Sequence, residues 1–286
     1  MDFINGEFVL IRSIEKKILL SPFTLDYLFS DKLNLLLKIE KFKNRLSEYC
    51  KAENACATSD AYKLEPYIFD LKVDSFDPIK YLKIINTGTI NKYHSKWGKK
   101  EMTYLGNKYL YPVVKKNEFL IVFKNSYANK SAQPKIIIKG LNLLDGCLDS
   151  DGSVIPGKTT LIIIDNDIKK LKFLLAVINC KLTFFYIKEK YPAASYNQGT
   201  SFTKEMMNNF PIPEMSDAKK KEIINLIENI LAITDSGDYL EDFNNHEKVK
   251  VYENQIDQLI YTLYDLTPEE IEIVENVSNK SKVKHL

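Results

Sequence analysis

The sequence has few of the residues that metal sites and disulfide frameworks require. Its 286 residues include four cysteines, none in a Cys-x-x-Cys pair, and three histidines. Structural zinc sites and disulfide frameworks both depend on such residues at set spacings, so the composition argues against either. We expect no metal ligands on this chain. We also expect four free thiols, most of them buried, at Cys50, Cys56, Cys147 and Cys180.

Several catalytic motifs are missing as well. There is no Pro-Pro dipeptide, which removes the Asn/Asp-Pro-Pro-Tyr motif with which adenine-N6 methyltransferases grip a flipped base. No two glycines are separated by one residue, and there is no Gly-x-Ser-x-Gly elbow. Asp165, Asp167, Glu189 and Lys190 have the residue types of a metal-dependent nuclease, but the two aspartates are better explained as helix caps. We predict that this chain alone has no catalytic residues and is not an enzyme.

Long apolar runs are absent too. No run reaches the length of a membrane span, and the N-terminus lacks a basic region followed by an apolar core and a cleavage site. Apolar residues still make up 45% of the chain, which is typical of a globular protein. We therefore expect a cytoplasmic protein without membrane contact, built as one large domain or one domain plus an appendage.

Arginine is scarce, since only Arg12 and Arg45 are arginine among 40 basic residues. Bidentate contacts to guanine are made most often by arginine, so a DNA-reading protein of this composition must use lysine, amides and hydroxyls. A lysine- and asparagine-rich genome explains the shortage without any function, and it is the better explanation.

Lysine is concentrated between residues 79 and 117, which we call the basic stretch. It contains nine lysines and one acid, Glu101, and so carries a net charge of +8 in a chain whose formal net charge is +2. Aromatic residues, amides and hydroxyls lie among the lysines. Lysines attract phosphate without regard to base sequence, whereas amides and hydroxyls discriminate bases. The stretch is equally typical of a solvated lysine-rich surface.

Apolar periodicity and turn residues predict short strands with long polar loops as far as Pro213. A hairpin is expected at residues 3–11, and a helix capped by Ser30-Asp31 is expected to run to about Tyr49. Residues 54–62 and 125–133 are predicted to be polar loops, and 119–123 could be a helix or a strand. Further strands are expected at 67–71, 82–86, 110–114 (strand or turn), 134–139 and 160–164. A helix capped by Asp165–Asp167 is expected to break at Asn179, and a second helix is expected at about 181–189.

The last third of the chain is acidic. Residues 217–275 contain fifteen acids and five lysines, a net charge of −10. Two amphipathic helices are predicted at 217–233 and 247–263, and Thr267-Pro268-Glu269-Glu270 is a strong helix start with a capping box. Because an acidic surface repels a nucleic-acid backbone, these helices should pack on protein. The residues after 276 form a basic tail, which we expect to be frayed.

Together these patterns predict an α/β (α+β) fold with a mixed or antiparallel recognition sheet, flanking helices and a C-terminal helical appendage. A doubly wound parallel sheet would need regular strand–helix alternation, which is absent.

The order of several short pieces resembles a known family. The pieces are Thr58-Ser-Asp-Ala-Tyr62, Ile85-Asn-Thr-Gly-Thr-Ile90, Lys135-Ile-Ile-Ile138, Val154-Ile-Pro-Gly157, Leu174-Leu-Ala-Val-Ile-Asn-Cys-Lys-Leu182, Phe210-Pro-Ile-Pro213, Ile256-Asp-Gln-Leu-Ile-Tyr-Thr-Leu-Tyr264 and Thr267-Pro-Glu-Glu-Ile271. In this order they resemble the C-terminal, TaqI-like target-recognition (specificity) domain of adenine-N6 DNA methyltransferases and of type IIG restriction-modification enzymes. The recognition domains of type I specificity subunits look similar. The likeness spans roughly residues 54–275, and the departure is that no methyltransferase or nuclease motif accompanies it.

The resemblance implies a DNA sequence-recognition domain of a type II restriction enzyme. Such a domain positions double-stranded DNA for a methyltransferase/endonuclease domain of the same or a partner polypeptide. S-adenosyl-L-methionine and magnesium are expected only on those catalytic domains, with no cofactor on this chain. The alternatives are a type I specificity-subunit-like recognition domain, a protein-interaction domain without DNA binding, and a complete small nuclease.

The resemblance also suggests a division of the chain. Residues 1–53 would be an N-terminal hairpin and connecting helix, which could be a remnant of a preceding methyltransferase region. Residues 54–213 would be the target-recognition domain, 214–276 the acidic C-terminal helices and 277–286 the basic tail.

Two loops, 87–97 and 196–201, are expected to carry most base reading, because both hold glycine for close approach and amides beside hydroxyls. The base-reading candidates are Asn86, Thr87, Thr89, Asn91, Asn197, Gln198, Thr200 and Ser201. The phosphate candidates are Lys83, Lys92, Lys96, Lys99, Lys100 and Lys204. The candidates for stacking or packing near DNA are Tyr93, Trp97 and Tyr196. The competing interpretation is that Asn86 and Asn197 are turn residues bonded to their own backbone.

Overall fold

In a computed structural model of the chain, the described residues are 30–72, 75–124, 126–192, 201–237 and 239–283. The hairpin predicted at residues 3–11 lies outside them. Among the described residues, no helix combines the length and the apolar character needed to cross a membrane.

The strands of this part of the chain are short and mostly apolar. In chain order they are β1 (Ala52–Asn54), β2 (Phe69–Asp70), β3 (Tyr81–Ile85), β4 (Met102–Tyr104), β5 (Asn107–Tyr109), β6 (Pro112–Lys115), β7 (Lys135–Lys139), β8 (Gly146–Asp149), β9 (Val154–Pro156) and β10 (Thr160–Ile164).

The helices flank the strands and then form the C-terminal third. In chain order they are α1 (Leu33–Glu40), α2 (Leu46–Tyr49), α3 (Thr58–Leu64), a 3₁₀ turn (Glu65–Tyr67), α4 (Lys116–Val122), α5 (Ser126–Ser131), α6 (Ile168–Asn179), α7 (Lys181–Lys190), α8 (Lys204–Asn208), α9 (Asp217–Thr234), α10 (Phe243–Leu263) and α11 (Pro268–Val283).

The first sheet has the order β1-β10-β7-β8 and is antiparallel throughout. Successive strand residues point to opposite faces, and here both faces are covered. Ile136 and Ile163 join the large core shared with the helices, whereas Ile137 and Ile162 join a smaller cluster on the other face. Burial on both sides explains why these strands are continuous runs of isoleucine.

The second sheet has the order β2-β6-β3-β9, and its β3–β9 pair is parallel. A separate hairpin, β4–β5, lies beside it. The core of the second sheet combines Leu82 and Ile84 of β3 with aromatic residues of α4 and α5, among them Phe119 and Tyr127.

A buried ion pair stabilises the turn that leads from the first sheet to the second. Lys135 of β7 is 0% exposed and its ammonium contacts the carboxylate of Asp149, at the end of β8. The same ammonium donates to the carbonyl of Ser131 at 2.7 Å. The Asp149 carboxylate also accepts from the backbone nitrogens of Ser153 at 3.0 Å and Val154 at 3.1 Å, at the start of β9.

The helix predicted to run from Ser30-Asp31 to Tyr49 is two helices. Residue Arg45 is extended, with φ −111° and ψ 156°, and it starts α2 with Glu48 as the capping-box partner. The nitrogen of Leu46 donates to Phe210 O at 2.9 Å, and the nitrogen of Ile212 donates to Asn44 O at 2.9 Å. Pairing with a distant segment therefore interrupts a helical pattern that local periodicity would continue.

Two predicted polar loops contain helices. α3 lies within the segment expected to be a loop at 54–62, and α5 lies within 125–133. Ala61 and Leu64 of α3, and Tyr127 and Ala128 of α5, are buried in the core of the second sheet. Tertiary burial of a few apolar residues stabilises both helices, and it also decides that the ambiguous segment at 119–123 is helical.

Several other predicted elements agree with the structure. The strands predicted at 134–139 and 160–164 match β7 and β10. Asp167 caps α6 by accepting from the nitrogens of Lys169 and Lys170. Thr267 and Glu270 form the predicted capping box at α11, with bonds of 2.8 and 3.3 Å. The basic tail was expected to be frayed, but α11 continues through Val283, so that expectation was wrong as far as that residue. The fold is mixed α and β with antiparallel and mixed sheets, flanking helices and C-terminal helices, as predicted.

Candidate nucleic-acid interface

The loop at 87–97 begins with a turn closed by Asn86. The Oδ1 atom of Asn86 accepts from the nitrogen of Gly88 at 2.9 Å, and its Nδ2 donates to Thr103 O at 2.8 Å. Thr89 is 1% exposed, and its hydroxyl accepts from the Asn86 nitrogen at 3.1 Å. This is the turn arrangement that competed with base reading at Asn86. Asn86 and Thr89 shape the loop and do not present free polar groups.

Thr87 and Asn91, two other base-reading candidates, do not take part in the hydrogen bonds that close this turn. The hydroxyl of Thr87 lies 2.8 Å from the hydroxyl of Thr159, in the turn between β9 and β10. The side chain of Asn91 has no hydrogen-bond partner among the described residues, and its backbone nitrogen donates to His94 O at 3.0 Å. Asn91 is thus the loop amide best placed to meet a ligand.

Tyr93 lies beneath the loop rather than on it. It is 3% exposed, has a positive φ of 68°, and donates from its nitrogen to Gly146 O at 2.8 Å. Its side chain belongs to the large core. Tyr93, which was a candidate for stacking or packing near DNA, is instead packed within the protein interior.

Trp97 is the centre of an aromatic group that holds Lys83. The indole nitrogen donates to Pro112 O at 2.8 Å, and the ring stands edge-on to Phe76 and Tyr111. The ammonium of Lys83 lies 4.8 Å from the Trp97 ring centre and 4.6 Å from that of Phe76. Burial lowers the pKa of Lys83, against the pull of Asp149 and Asp151. Lys83 thus packs on aromatic rings.

Two further lysines of the basic stretch pair with acids of the C-terminal region, Lys92 with Glu253 of α10 and Lys99 with Glu241 just before α10. Lys92 Nζ lies 3.5 Å from Glu253 Oε1, and each side chain is 20% exposed. Burial alone would lower the pKa of Lys92, but the charges of Glu253, Asp257 and Asp145 raise it above its ordinary value. Lys99 Nζ lies 2.8 Å from Glu241 Oε1 in a more exposed pair. The acidic helices pack on protein, as predicted, and part of that protein is the basic stretch.

His94, in the loop at 87–97, contacts the segment that precedes α10. Its Nδ1 lies 3.0 Å from Lys92 O, and its ring stands edge-on to Tyr239 at 4.9 Å. Tyr239 in turn contacts the ring of His246 at 4.7 Å. The Nε2 atom of His94 is buried without a hydrogen-bond partner among the described residues. Burial, followed by the nearby charges of Lys96 and His246, lowers the pKa of His94.

Three lysines lie on a tight turn at residues 96–100, which we call the lysine turn. The carbonyl of Lys96 accepts from the nitrogens of Lys99 and Lys100, both at 3.0 Å. Gly98 has φ +76°, and an added Cβ would lie 2.7 Å from the Tyr111 ring, so glycine is required there. Within the described part of the chain, Lys96 and Lys100 form no ion pair.

The lysine turn gathers like charges. Burial lowers the pKa of Lys96, and the positive charges of Lys100 and Lys139 lower it further. Lys139, at the end of β7, is bonded to Asp145 at 2.9 Å. Lys96 and Lys100, which have no described carboxylate partner, therefore lie near Lys139. An anionic ligand bound there would reduce the repulsion among these positive charges.

The basic stretch does not form one continuous face. Tyr81 at the start of β3 pairs with Lys115 of β6, and the Lys116 nitrogen donates to Lys80 O at 2.8 Å. Lys80, Lys115 and Lys116 therefore lie at the opposite end of β3 from the loop. Lys108 lies 3.5 Å from Glu101 in the hairpin region. The +8 charge counted along the sequence is divided among several parts of the surface.

The second predicted reading loop is described only at its end. Tyr196, Asn197, Gln198 and Thr200 lie outside the described residues. Ser201 is exposed and forms an antiparallel bridge with Leu141. Lys204, at the start of α8, lies 3.8 Å from Glu205.

A chain of hydrogen bonds links the two predicted loops. Thr87 contacts Thr159, the Gly140 nitrogen donates to Thr159 O at 3.1 Å, and the Phe202 nitrogen donates to Gly140 O at 2.9 Å. An added Cβ at Gly140 would lie 2.2 Å from Thr159 O, so only glycine permits this approach. We call the surface at these junctions the loop edge. It comprises Thr87, Asn91, the lysine turn, Lys139, Lys158, Thr159 and Ser201.

Lys139 and Lys158 also belong to the loop edge, and neither was among the site residues predicted from the sequence. Lys139 lies beside Gly140 and Lys158 beside Gly157, in each case next to a strand end. A lysine beside a turn glycine is the sequence pattern that could have identified both as candidates. The ammonium of Lys158 lies 5.4 Å from the ring centre of Tyr62, which is 57% exposed. Tyr62 lies on α3, in the segment expected to be a loop.

The described residues contain no group of three or more histidines, cysteines, aspartates or glutamates arranged to hold a metal ion. All four cysteines are free thiols; Cys147 and Cys180 are buried and the other two are half-buried. Burial raises the pKa of Cys56 to about 11.

No protein-family model matches this sequence, and no curated protein matches it. Solved structures that are similar to this chain include two restriction-modification enzymes. One is the type IIL restriction-modification enzyme MmeI in complex with DNA, with a TM-score of 0.46, 10% identity, and coverage of 84% of this chain and 36% of that one. The other is the type IIG restriction endonuclease BpuSI, with a TM-score of 0.39, 11% identity, and coverage of 84% and 34%. This chain thus spans about a third of the length of each. The TaqI-like resemblance remains a prediction from the sequence.

Proposed function

We propose that this chain is a DNA sequence-recognition (specificity) domain of a type II restriction-modification enzyme of the adenine-N6 methyltransferase kind. It would position duplex DNA for a catalytic domain carried on the same or a partner polypeptide. S-adenosyl-L-methionine and magnesium would bind that other domain, and this chain would contribute no catalytic residue.

The observation that carries the proposal is the loop edge. Lys96 and Lys100 lie on one turn without a described carboxylate partner, at the end of the loop that carries Thr87 and the amide of Asn91. Lysines at such an edge would hold phosphates and set the register, while amides and hydroxyls read base edges. The order of sequence pieces that resembles a target-recognition domain supports the same assignment.

The structure also refines the list of contacts that we propose. Lys83, Lys92 and Thr89 are engaged within the protein, so we assign them to shaping the site. Lys96 and Lys100, joined by Lys139 and Lys158, become the phosphate candidates that we favour, together with Lys99 and Lys204. Asn91 and Ser201 remain base-reading candidates on the described residues, as do Asn197, Gln198 and Thr200 from the sequence.

The test of phosphate contact is duplex binding measured across a salt series. The wild-type chain should bind duplexes with an affinity that falls steeply with salt. Lys96→Ala should weaken binding to all duplexes alike and flatten the slope of log K against log salt by about one. Lys80→Ala, at the far end of β3, is the matched control and should leave the slope unchanged. Equal effects of the two substitutions would remove the loop edge from the interface.

The test of base reading uses Gln198→Ala. Since an amide can pair bidentately with adenine, this substitution should weaken only the cognate duplex, by roughly 1–3 kcal/mol. The cognate site would first be identified by selection from random duplexes with the full-length protein. Equal losses on cognate and unrelated duplexes, or no loss on either, would show that this loop does not read bases.

A second candidate is a protein-interaction domain without DNA binding. Two observations favour it: the division of the basic stretch among several surfaces, and the ion pairs that bind Lys92 and Lys99 to α10 and the residues before it. This alternative predicts no salt-dependent binding to any duplex.

A further inference from the structure

The segment between α9 and α10 lies along the basic stretch. We call residues 235–242 the acidic connector. Its described residues contact the stretch at successive points: Tyr239 stands against His94, and Glu241 pairs with Lys99. At its start, burial and the charge of Asp151 raise the pKa of Asp235. Asp151 also acts on Lys83. A connector rich in carboxylates therefore borders the same surface that we assign to DNA.

The ion pair of Lys99 with Glu241 is more exposed than the ion pair of Lys92 with Glu253. The Lys92–Glu253 side chains are each 20% exposed, whereas Lys99 and Glu241 are 46% and 73% exposed. An exposed pair contributes little to stability and is screened by salt. Lys99 is therefore held by a partner that can be displaced at small cost.

The chemistry of that partner matches a nucleic-acid backbone. A carboxylate oxygen at 2.8 Å from an ammonium makes the same charge-assisted hydrogen bond that a phosphate oxygen makes. Lys99 lies on the lysine turn with Lys96 and Lys100, which form no ion pair among the described residues. An anion that replaced Glu241 would thus meet three lysines on one turn.

From this geometry we propose that the Glu241 carboxylate occupies a position for a DNA backbone phosphate, and that the acidic connector competes with the duplex for Lys99. The proposal rests on the proposed function, because it requires that the lysine turn contacts DNA. It adds a specific phosphate position and an acidic segment that limits affinity. It also predicts that removing the negative charge of Glu241 strengthens duplex binding, and that this gain depends on Lys99.

The direct test is Glu241→Gln in the full chain, with a fluorescein-labelled duplex of mixed sequence as the probe. Releasing Lys99 should tighten binding by about two- to fivefold at low salt, the range set by an exposed ion pair. It should also steepen the slope of log K against log salt by about 0.9, the value of one added phosphate contact.

Two comparisons separate this mechanism from a general charge effect. Glu228→Gln removes the same charge from an exposed pair with Lys172, at 2.6 Å, outside the basic stretch. It should leave affinity close to that of the wild type. In a Lys99→Ala background, Glu241→Gln should produce no further gain, because the lysine that it would release is missing.

The outcomes separate the two proposals. No duplex binding by the wild type would overturn both. Salt-dependent binding that does not respond to Glu241→Gln would overturn the competition alone. So would a gain that is equal in Glu228→Gln, or one that persists in the Lys99→Ala background.

Discussion

Lys92 Nζ and Glu253 Oε1 lie 3.5 Å apart, although 161 residues separate them in the sequence. Through this pair the acidic α10 anchors the loop at 87–97, which leads into the lysine turn. A lysine that composition alone suggests for phosphate binding therefore serves to position its neighbours.

Breaking the Lys92–Glu253 pair should lower the stability of the protein and leave the salt dependence of duplex binding unchanged. We expect Lys92→Met to lower the free energy of unfolding by about 1–3 kcal/mol, between the surface and buried limits for ion pairs. The salt slope of duplex binding should stay at the wild-type value. Chemical denaturation and a salt series on the same variant would measure both quantities. A flattened salt slope without loss of stability would instead place Lys92 at the phosphate backbone.

Asn86 should behave as a structural residue. Asn86→Ala removes the bonds to Gly88 N and Thr103 O, so we expect a loss of about 1–3 kcal/mol in unfolding free energy. Because the whole loop is displaced, binding to cognate and unrelated duplexes should weaken alike. The control is Asn91→Ala, which should leave the denaturation midpoint unchanged. Selective loss of cognate binding by a fully stable Asn86→Ala protein would argue for direct base reading.

His94 should make stability sensitive to mild acid. Its surroundings are the Lys92 carbonyl, Lys96, His246, Asp145 and Tyr239, and burial lowers its pKa below the ordinary 6.5. The unfolded chain then binds a proton more readily than the folded one, so the contribution of His94 is present above pH 6.5 and is lost as the pH falls below it.

The pH effect is measured as the urea midpoint from about pH 7 to about pH 5. His94→Gln should reduce the fall in midpoint, whereas substitution of the exposed His246 by glutamine should change it less. An unchanged pH profile in His94→Gln would exclude His94 as the titrating group.

The buried pair of Lys135 and Asp149 should be essential to the junction between the sheets. Lys135→Met leaves an uncompensated carboxylate in the interior, and we expect a loss of about 3–5 kcal/mol. Adding Asp149→Asn should recover part of that loss, because the amide oxygen still accepts from Val154 N without carrying a charge. Thermal unfolding of the two variants tests this. A double variant less stable than Lys135→Met would contradict it.

Much of the regular structure follows from neighbours along the chain. The isoleucine runs of β7 and β10, the Asp167 cap of α6 and the Thr267–Glu270 capping box were all predictable, because strand propensity and helix capping act over a few residues. The overall α/β class followed from the same patterns. So did the expectation that an acidic C-terminal third packs on protein.

Long-range contacts decided what local patterns left open. Pairing of Leu46 with Phe210 divides the predicted first helix, and a shared core turns the segments around Ala61 and Tyr127 into helices. The same is true of the site: Lys83 rests on aromatic rings, Lys92 pairs with Glu253, and Lys96 stays without a described ion pair. Lysine content is a property of sequence, but the partner of each ammonium depends on side chains that only folding brings within a few ångströms.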